Sequence, residues 1–285
     1  MAYDYWFYMF GGNDILKPEE VGKALIDQFA VRTYDSNADF GVPGVSVTVR
    51  NTIDEVREER HLEHGGVTVS FRHSREPGID HRAADVNLLR MIDWLLRHYR
   101  AAVEFEGDYE ELFLFRDGNR VVLVNSDYWT YDPCLLPTIT IPHECRNVSR
   151  THWLEIPPTG NLSDPMALRG YLIAMFQLLP HKEYHTEAYS QELSVVIGTC
   201  DEEPRRVAVG CSPNLLHYHA GVRKMLEMYR LLLDRFPGDA RMTWKPEHLP
   251  DERPVLLTRT NDKIILCDEP DFWTPERKAV ILGKP

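Results

Sequence analysis

The chain has 285 residues, of which 43% are hydrophobic and 27% are charged, and its formal net charge is -12. This length suggests two domains or one large domain, and the ordinary balance of apolar and charged residues excludes a disordered chain and a coiled coil. No segment approaches the ~20 apolar residues of a membrane-spanning helix, so we expect no membrane partner. An acidic chain also repels phosphate backbones, so we expect no nucleic-acid partner.

The first half of the sequence alternates strand and helix patterns. Two glutamates follow Pro18, which suits a helix start because acidic residues are favoured at the positive end of the helix dipole. Val21, Leu25 and Phe29 then recur at helical spacing, and the sequence Asp-Gly-Asn at 117–119 is a strong tight-turn signal. The predicted elements are strands at 3–10, 45–49, 67–71, 103–106, 112–116 and 120–125, a helix from Pro18 and a long helix over about 83–100.

The second half shows the same order of patterns. The predicted strands are 152–156, 193–197, 206–211, 241–244, 255–259 and 263–267. Asp164 and Pro165 begin a helix, and a second, longer helix follows Asn214. The apolar stripes predicted for these helices are Leu168, Leu172, Met175, Phe176 and Leu179 in the first, and Val222, Met225, Leu226, Tyr229, Leu232, Leu233 and Phe236 in the second.

The two halves resemble each other in sequence as well as in pattern. DGNRVVLVNSDYWT at 117–130 aligns with NDKIILCDEPDFWT at 261–274. The sequence therefore predicts an α+β fold of two similar repeats, each a mostly antiparallel sheet packed with two helices. We place the repeats at 1–136 and 152–285, and we predict a proline-containing linker at 137–151 because prolines cluster there and the pattern is lost.

Negative charge is concentrated in the first repeat. Residues 1–145 hold 25 acidic and 14 basic side chains, a net charge of -11, whereas residues 146–285 hold 19 and 18, a net charge of -1. Carboxylates interleaved with an aromatic residue suit a partner rich in Lys and Arg. The predicted partner-binding residues are Asp54, Glu55, Glu58, Glu59 and Glu63 in one cluster and Glu104, Glu106, Asp108, Tyr109, Glu110 and Glu111 in a second.

The sequence lacks the motifs of common catalytic and cofactor sites. It contains no GxGxxG after a strand, no GxxxxGK[ST], no GxSxG and no HExxH. Its five cysteines are widely spaced without a CxxC pair, which favours reduced thiols over a disulfide framework or a zinc ribbon. We predict no catalytic residue, no cofactor, no metal site and no enzymatic activity.

The order of motifs in the first repeat indicates a family. An aromatic strand, a helix beginning PEE, the strand VSVTV, an apolar helix and an acidic turn lead to ELFLFRDGNRVVLVNSDYWT. In this order the chain resembles the small immunity proteins of bacterial contact-dependent toxin systems, in particular those paired with the swarming-inhibition toxins of myxobacteria. Residues 1–130 carry the resemblance best, and residues 152–274 look like a diverged second copy. The resemblance implies a non-enzymatic protein that binds and blocks a cognate toxin, and it carries over no catalytic residue.

We therefore expect a bacterial immunity protein whose acidic face binds and neutralises a basic toxin. The opening segment MAYDYWFYMF lacks the basic leader of a signal peptide, so we expect it in the cytoplasm. Two alternatives stay open. One is a hydrolase-like enzyme with a site between the repeats, for example His143, Glu144 and His152, and the other is a non-catalytic assembly protein.

Overall fold

The computed structural model describes most of the chain and has the predicted α+β class. The described residues are 4–10, 16–29, 32–33, 39–53, 66–74, 78–108, 111–124, 127–130, 132, 134–146, 148–157, 164–181, 184–200, 206–246, 254–270 and 272–283. They form helices and two sheets in which the neighbouring strands are mostly antiparallel. Contacts divide the chain into two compact units, Met1–Arg146 and Asn147–Pro285.

The described part of the first unit combines three helices with a nine-stranded sheet. Its strands are β1 (Asp4–Phe10), β2 (Arg32–Thr33), β3 (Asp39–Val42), β4 (Val45–Asn51), β5 (Gly66–His73), β6 (Ala102–Gly107), β7 (Leu112–Asp117), β8 (Arg120–Val124) and β9 (His143–Arg146). Its helices are α1 (Pro18–Phe29), α2 (His81–His98) and the single turn α3 (Asp127–Thr130). The strand order is β2-β3-β4-β5-β1-β6-β7-β8-β9, and only β8 and β9 are parallel.

The core of the first unit lies between this sheet and its helices. Alternate residues of β1, among them Phe7 and Met9, are fully buried on one face of the sheet, as the period of a strand requires. Helix α1 buries Val21 and Leu25 in the same core, as its spacing predicts. Helix α2 begins at Asp80, whose side chain accepts a hydrogen bond from the backbone N–H of Ala83 at 3.2 Å.

Arg116 on strand β7 caps the carboxyl end of α2 with side-chain hydrogen bonds. The side chain is buried, and its guanidinium donates hydrogen bonds to the backbone carbonyls of Leu96, Tyr99 and Ala101. A helix end leaves carbonyls without partners inside the helix, and a planar group with several donors can satisfy more than one of them. A second long-range bond joins Trp129 Nε1 to the carbonyl of Phe113 at 3.2 Å.

Much of the segment that we predicted to be a linker belongs to the first unit. Asp93 of α2 accepts hydrogen bonds from the backbone N–H groups of Thr140 and Ile141 at 2.7 and 2.9 Å, and from the Thr140 hydroxyl at 2.7 Å. Strand β9 then pairs with β8. The division between the units falls after Arg146, so the part of 137–151 that precedes it is fastened to α2 and to the first sheet.

The described part of the second unit combines three helices with an eight-stranded sheet. Its strands are β10 (Ser149–Ile156), β11 (Leu179–Pro180), β12 (Glu187–Tyr189), β13 (Leu193–Cys200), β14 (Arg206–Pro213), β15 (Ala240–Pro246), β16 (Val255–Thr260) and β17 (Lys263–Leu266). Its helices are α4 (Pro165–Phe176), α5 (Tyr218–Arg235) and α6 (Pro275–Leu282). The strand order is β11-β12-β13-β14-β10-β15-β16-β17, with every pair antiparallel.

Helix α5 supplies the main buried face of the second unit. All seven residues of its predicted stripe, including Phe236 just after the helix, are buried. Its carboxyl end is closed by Arg259, which is buried and donates hydrogen bonds to the carbonyls of Leu233, Phe236 and Gly238. Trp273 Nε1 donates to the carbonyl of Leu256 at 3.0 Å.

Helix α4 forms where the sequence predicts it, but its predicted stripe is only partly buried. Asp164 caps it by accepting a hydrogen bond from Ala167 N at 3.1 Å, and Leu168 and Leu172 are buried. Met175 and Leu179 are exposed, so the prediction that they belong to the buried stripe is wrong. Within the described residues, no helix is both long enough and apolar enough to cross a membrane.

Candidate partner-binding surface

Only part of the predicted acidic surface can be placed. The first cluster, Asp54, Glu55, Glu58, Glu59 and Glu63, lies outside the described residues, as do Tyr109 and Glu110 of the second cluster. The described members of the second cluster are Glu104 and Glu106 on β6, and Asp108 and Glu111 in the turn between β6 and β7.

Glu104 and Glu106 are buried, which corrects the expectation that they face a partner. Glu104 is 0% exposed and Glu106 is 5% exposed. Glu104 pairs with Tyr8 on one side and Phe115 on the other, and Phe115 and the next residue across the sheet, Val122, are themselves buried. Alternation along β6 therefore does turn these glutamates away from the face that carries Phe105, but that second face is also closed to solvent at this point.

Asp108 and Glu111 remain at the edge of the first unit. Asp108 is half-buried and accepts a hydrogen bond from the backbone N–H of Asp4 at 3.2 Å, while Glu111 is exposed. Arg72 Nε and Nη2 donate to the two carboxylate oxygens of Asp4 at 2.6 and 2.8 Å. The hydrogen bonds and charge of Asp4 raise the pKa of Arg72. Asp108 also lies close enough to Arg72 for its negative charge to raise that pKa.

The strand register separates the points at which the chain leaves the sheet for the two acidic segments. Residues 54–65 connect β4 to β5, and Gly66 at the start of β5 pairs with Phe10 at the end of β1. The turn with Asp108 and Glu111 follows Gly107, which pairs with Tyr5 at the start of β1. The chain therefore leaves the sheet for the two acidic segments at opposite ends of β1, which at ~3.3 Å per residue are about 20 Å apart.

The residues proposed for an alternative hydrolase site lie in separate environments within their units. His143 Nδ1 lies 2.9 Å from the carbonyl oxygen of Ile141, and Glu144 forms an ion pair with Arg146. His152 is fully buried in the second unit, where its ring packs 5.3 Å from that of Phe272. A buried imidazole of this kind cannot reach a substrate from solvent.

The first unit holds a buried His–Asp pair that the sequence did not indicate. His73 Nε2 at the end of β5 lies 3.1 Å from Asp85 Oδ1 on α2, and both side chains are buried. The ring of Tyr5 lies 5.3 Å from that of His73, and the ring of His81 lies 5.9 Å away. This His–Asp contact links the first turns of α2 to the end of the sheet, although the two atoms are not aligned as a hydrogen bond.

The second unit holds a buried histidine, His152, close to the positive charge of Arg277. Burial, together with the nearby positive charge of Arg277, lowers the pKa of His152 to about 3. Neither ring nitrogen of His152, nor Trp244 Nε1 on the paired strand, has a hydrogen-bond partner among the described residues. Arg277 donates to the carbonyl of Phe272 at 2.9 Å and lies over its ring. The neighbouring Cys211 thiol is also buried, and burial raises its pKa to about 12, so it stays a neutral thiol.

Several large apolar side chains on and near α4 are exposed. The sequence analysis did not identify them as a site. Met166 is 46% exposed, Met175 52%, and Leu179, which follows α4, 58%. Tyr184, between β11 and β12, is 56% exposed. The signal in the sequence is the helix PMALRGYLIAMF, whose only charged residue is Arg169. A helix that is apolar on every side is normally covered.

Searches for a metal cluster and for related proteins give no assignment. No group of three or more His, Cys, Asp or Glu among the described residues could hold a metal ion. Comparison of the chain with protein-family models, curated proteins and solved structures finds no match.

Proposed function

We propose that this chain is a non-enzymatic, cytoplasmic immunity-type protein of a bacterium, which binds and neutralises a basic cognate toxin. The proposal rests on the resemblance of residues 1–130 to such proteins. The structural observation that carries it is the acidic turn of Asp108 and Glu111 at one end of the first sheet. This turn lies in the half of the chain that has a net charge of -11.

The negative charge of such a surface mainly affects the rate at which the two proteins associate. A negative surface attracts a positively charged partner over about one Debye length, roughly 8–10 Å in physiological salt, and raises its association rate. Toxins that cut nucleic acids need positive charge to approach phosphate backbones. A negatively charged binding protein therefore competes with their substrates for the same surface.

We further propose that the two units are diverged copies of one domain. In each sheet the first long strand, β1 or β10, lies between the strand that precedes the long helix and the strand that follows it. Both long helices have 18 residues, and each is closed by an arginine that contacts three carbonyls at corresponding positions. Because only the first copy is strongly acidic, we assign toxin binding to the first unit.

The test is binding between the full chain and the product of the neighbouring gene. We expect Glu111→Lys to slow association several-fold and to weaken the dependence of the association rate on salt. The matched control is Glu19→Lys, which makes the same change of charge at an exposed position of α1 and should bind as the unchanged chain does. Equal losses in both variants, or no binding of that product by the unchanged chain, would contradict the proposal.

A further inference from the structure

The outward side of α4 is an apolar surface without a partner inside the described chain. Helix positions four apart hold Met166, Gly170 and Ala174, with Ala167 beside them, and all four residues are exposed. Met175 in the last turn of the helix and Leu179 after it are further exposed apolar residues, but at ~3.6 residues per turn Met175 lies about half a turn round the helix from Met166. We call Met166, Ala167, Gly170 and Ala174 the α4 surface. Contiguous exposed apolar residues on a folded protein mark interaction sites.

The unit itself uses little of this helix. Only Leu168 and Leu172 of α4 are buried. Its one charged residue, Arg169, donates from Nε to the carbonyl of Glu187 at 2.9 Å, so that guanidinium is engaged by β12 of the same unit. A second guanidinium, that of Arg235, lies over the ring of Tyr171 at 5.3 Å. The residues that form the α4 surface are themselves uncharged, so they offer a partner apolar contact.

The spacing of large and small residues on the α4 surface is self-complementary. Met166 and Ala174 lie four residues on either side of Gly170. When two such helices cross antiparallel at Gly170, Met166 of each lies opposite the small Ala174 of the other. A Cβ added at Gly170 would meet nothing within 4 Å, so the backbone there is open to close approach. A two-fold interface requires this matching of one surface to itself.

The distribution of charge also favours a second copy over a basic partner at this place. Residues 146–285, which include α4, have a net charge of -1, whereas residues 1–145 have a net charge of -11. A basic partner is steered to the acidic half. Two copies repel each other least when they meet through the half that is nearly neutral.

We propose that two copies of this chain associate through the α4 surface, with their α4 helices antiparallel about a two-fold axis near Gly170. The association does not require the toxin and goes beyond the proposed function. It leaves the acidic turn of Asp108 and Glu111 outside the contact region that the proposal names.

The first experiment measures the mass of the full chain in solution by sedimentation at concentrations from about 1 to 100 μM. We expect a transition from 33.1 kDa to twice that mass. The double variant Gly170→Lys, Ala174→Asp places on α4 the residues that α1 carries at the corresponding positions, Lys23 and Asp27. We expect it to fold, because both positions are exposed, and to associate at least ~10-fold more weakly. The matched control is Lys23→Glu on α1, which should associate as the unchanged chain does.

A second readout locates the contact. Gly170→Cys should give an oxidised, covalent dimer in excess of the background from the exposed Cys134 and Cys145, whereas Lys23→Cys should not. A chain that is monomeric at 100 μM, a double variant that dimerises unchanged, or cross-linking at Lys23→Cys instead of Gly170→Cys would overturn the proposal. A monomeric chain that binds the toxin, and loses that binding in the double variant, would assign the α4 surface to the toxin instead.

Discussion

Helices α1 and α4 bury corresponding positions against their sheets, but their exposed positions differ, because those of α1 are mostly charged and those of α4 are apolar or small. Both have twelve residues, begin with proline, end with phenylalanine and bury their fourth and eighth residues. The outward positions hold Glu19, Glu20, Lys23 and Asp27 in α1 and Met166, Ala167, Gly170 and Ala174 in α4. The comparison shows that packing against a sheet specifies only the inward positions of such a helix.

The outward residues of α1 are explained by contact with water. Lys17 pairs with Glu20 at 3.1 Å, and Lys23 pairs with Asp27 one turn further on. Exposed pairs of this kind contribute ~0–1 kcal/mol each, so their main effect is to keep the surface solvated. Their replacement by methionine, alanine and glycine in α4 therefore removes little stability, but it removes the solvated surface, as expected for a helix that another protein covers.

The largest effect that we predict tests a feature that both units share. Arg116→Met and Arg259→Met should each cost about 3–5 kcal/mol of unfolding free energy, because each leaves buried carbonyls at a helix end without donors. Urea unfolding measures the loss, and hydrogen exchange should show it at the carboxyl end of α2 or α5 respectively. The control Arg223→Met removes an exposed pair with Glu227 and should cost under ~1 kcal/mol. Similar losses in all three variants would contradict the role given to the buried arginines.

The second prediction concerns the stability of the second unit in acid. The pKa of His152 is lowered in the folded state, so the unfolded chain binds a proton at this position below its usual value of about 6.5 and the folded chain does not. Stability should fall by up to about 1.4 kcal/mol per pH unit as the pH drops from 6.5 toward 3. His152→Phe, which suits the surrounding rings of Phe272 and Trp244, should remove this component. The measurement is the difference in unfolding free energy between variant and unchanged chain at several pH values, and a constant difference would contradict it.

The third prediction concerns the thirteenth residue of each long helix, Asp93 in α2 and Arg230 in α5. Burial acts to raise the pKa of Asp93, but hydrogen bonds from Thr140, Ile141 and Arg97 outweigh it and hold the pKa below its usual value. Asp93→Asn should cost roughly 2 kcal/mol at neutral pH. Because the carboxylate of the unchanged chain is protonated in acid, the difference should shrink as the pH falls below about 4. Arg230 at the corresponding position of α5 makes different contacts, because it donates to the carbonyl of Ile281 at 3.2 Å and pairs with Asp234 at 2.8 Å.

The smallest predicted effect is a gain. Gly170→Ala should stabilise the monomer by about 0.5–1 kcal/mol, since alanine is the better helix former and the added Cβ has open space. Gly221→Ala on α5 is the control with the opposite sign, because its Cβ would lie 2.3 Å from the carbonyl oxygen of Glu192. The measurement is the unfolding free energy of each variant at concentrations where the chain is monomeric, which should rise for Gly170→Ala and fall for Gly221→Ala. Destabilisation by Gly170→Ala would mean that something already packs on the α4 surface within one chain.

Strong periodicity made the elements of this fold predictable. In α5 the charged and apolar residues are segregated, so every member of the stripe predicted between Val222 and Phe236 is buried. In α4 the apolar residues surround the helix, so spacing could not tell which side would meet the sheet, and Met175 was wrongly assigned to the core. Whether the second face of a sheet is buried likewise cannot be predicted from the sequence of one strand, because it depends on the neighbouring strands. The sequence around Glu104 shows alternation but not that the row formed by Tyr8, Phe115 and Val122 would enclose it.

The candidate surfaces were predictable only where local sequence decides them. The segment with Asp108 and Glu111 could be identified as acidic because it joins two strands, and of its described residues Glu111 is exposed and Asp108 is half-buried. The distance between the points where the chain leaves the sheet for the two acidic segments depends on the pairing of Gly66 with Phe10 and of Gly107 with Tyr5. That register is a long-range property, which the local sequence does not contain.

The attachment of residues 139–146 to the first unit determines where the chain can be cut. A polypeptide ending at 136 would leave the Asp93 carboxylate without the donors of Thr140 and Ile141 and would uncover the edge of β8 that β9 protects. Cleavage after Arg146, at the division between the units, keeps both. A protease should therefore find its first site in this region closer to Arg146 than to Thr140, and separate expression of the first unit should succeed only when the fragment carries β9.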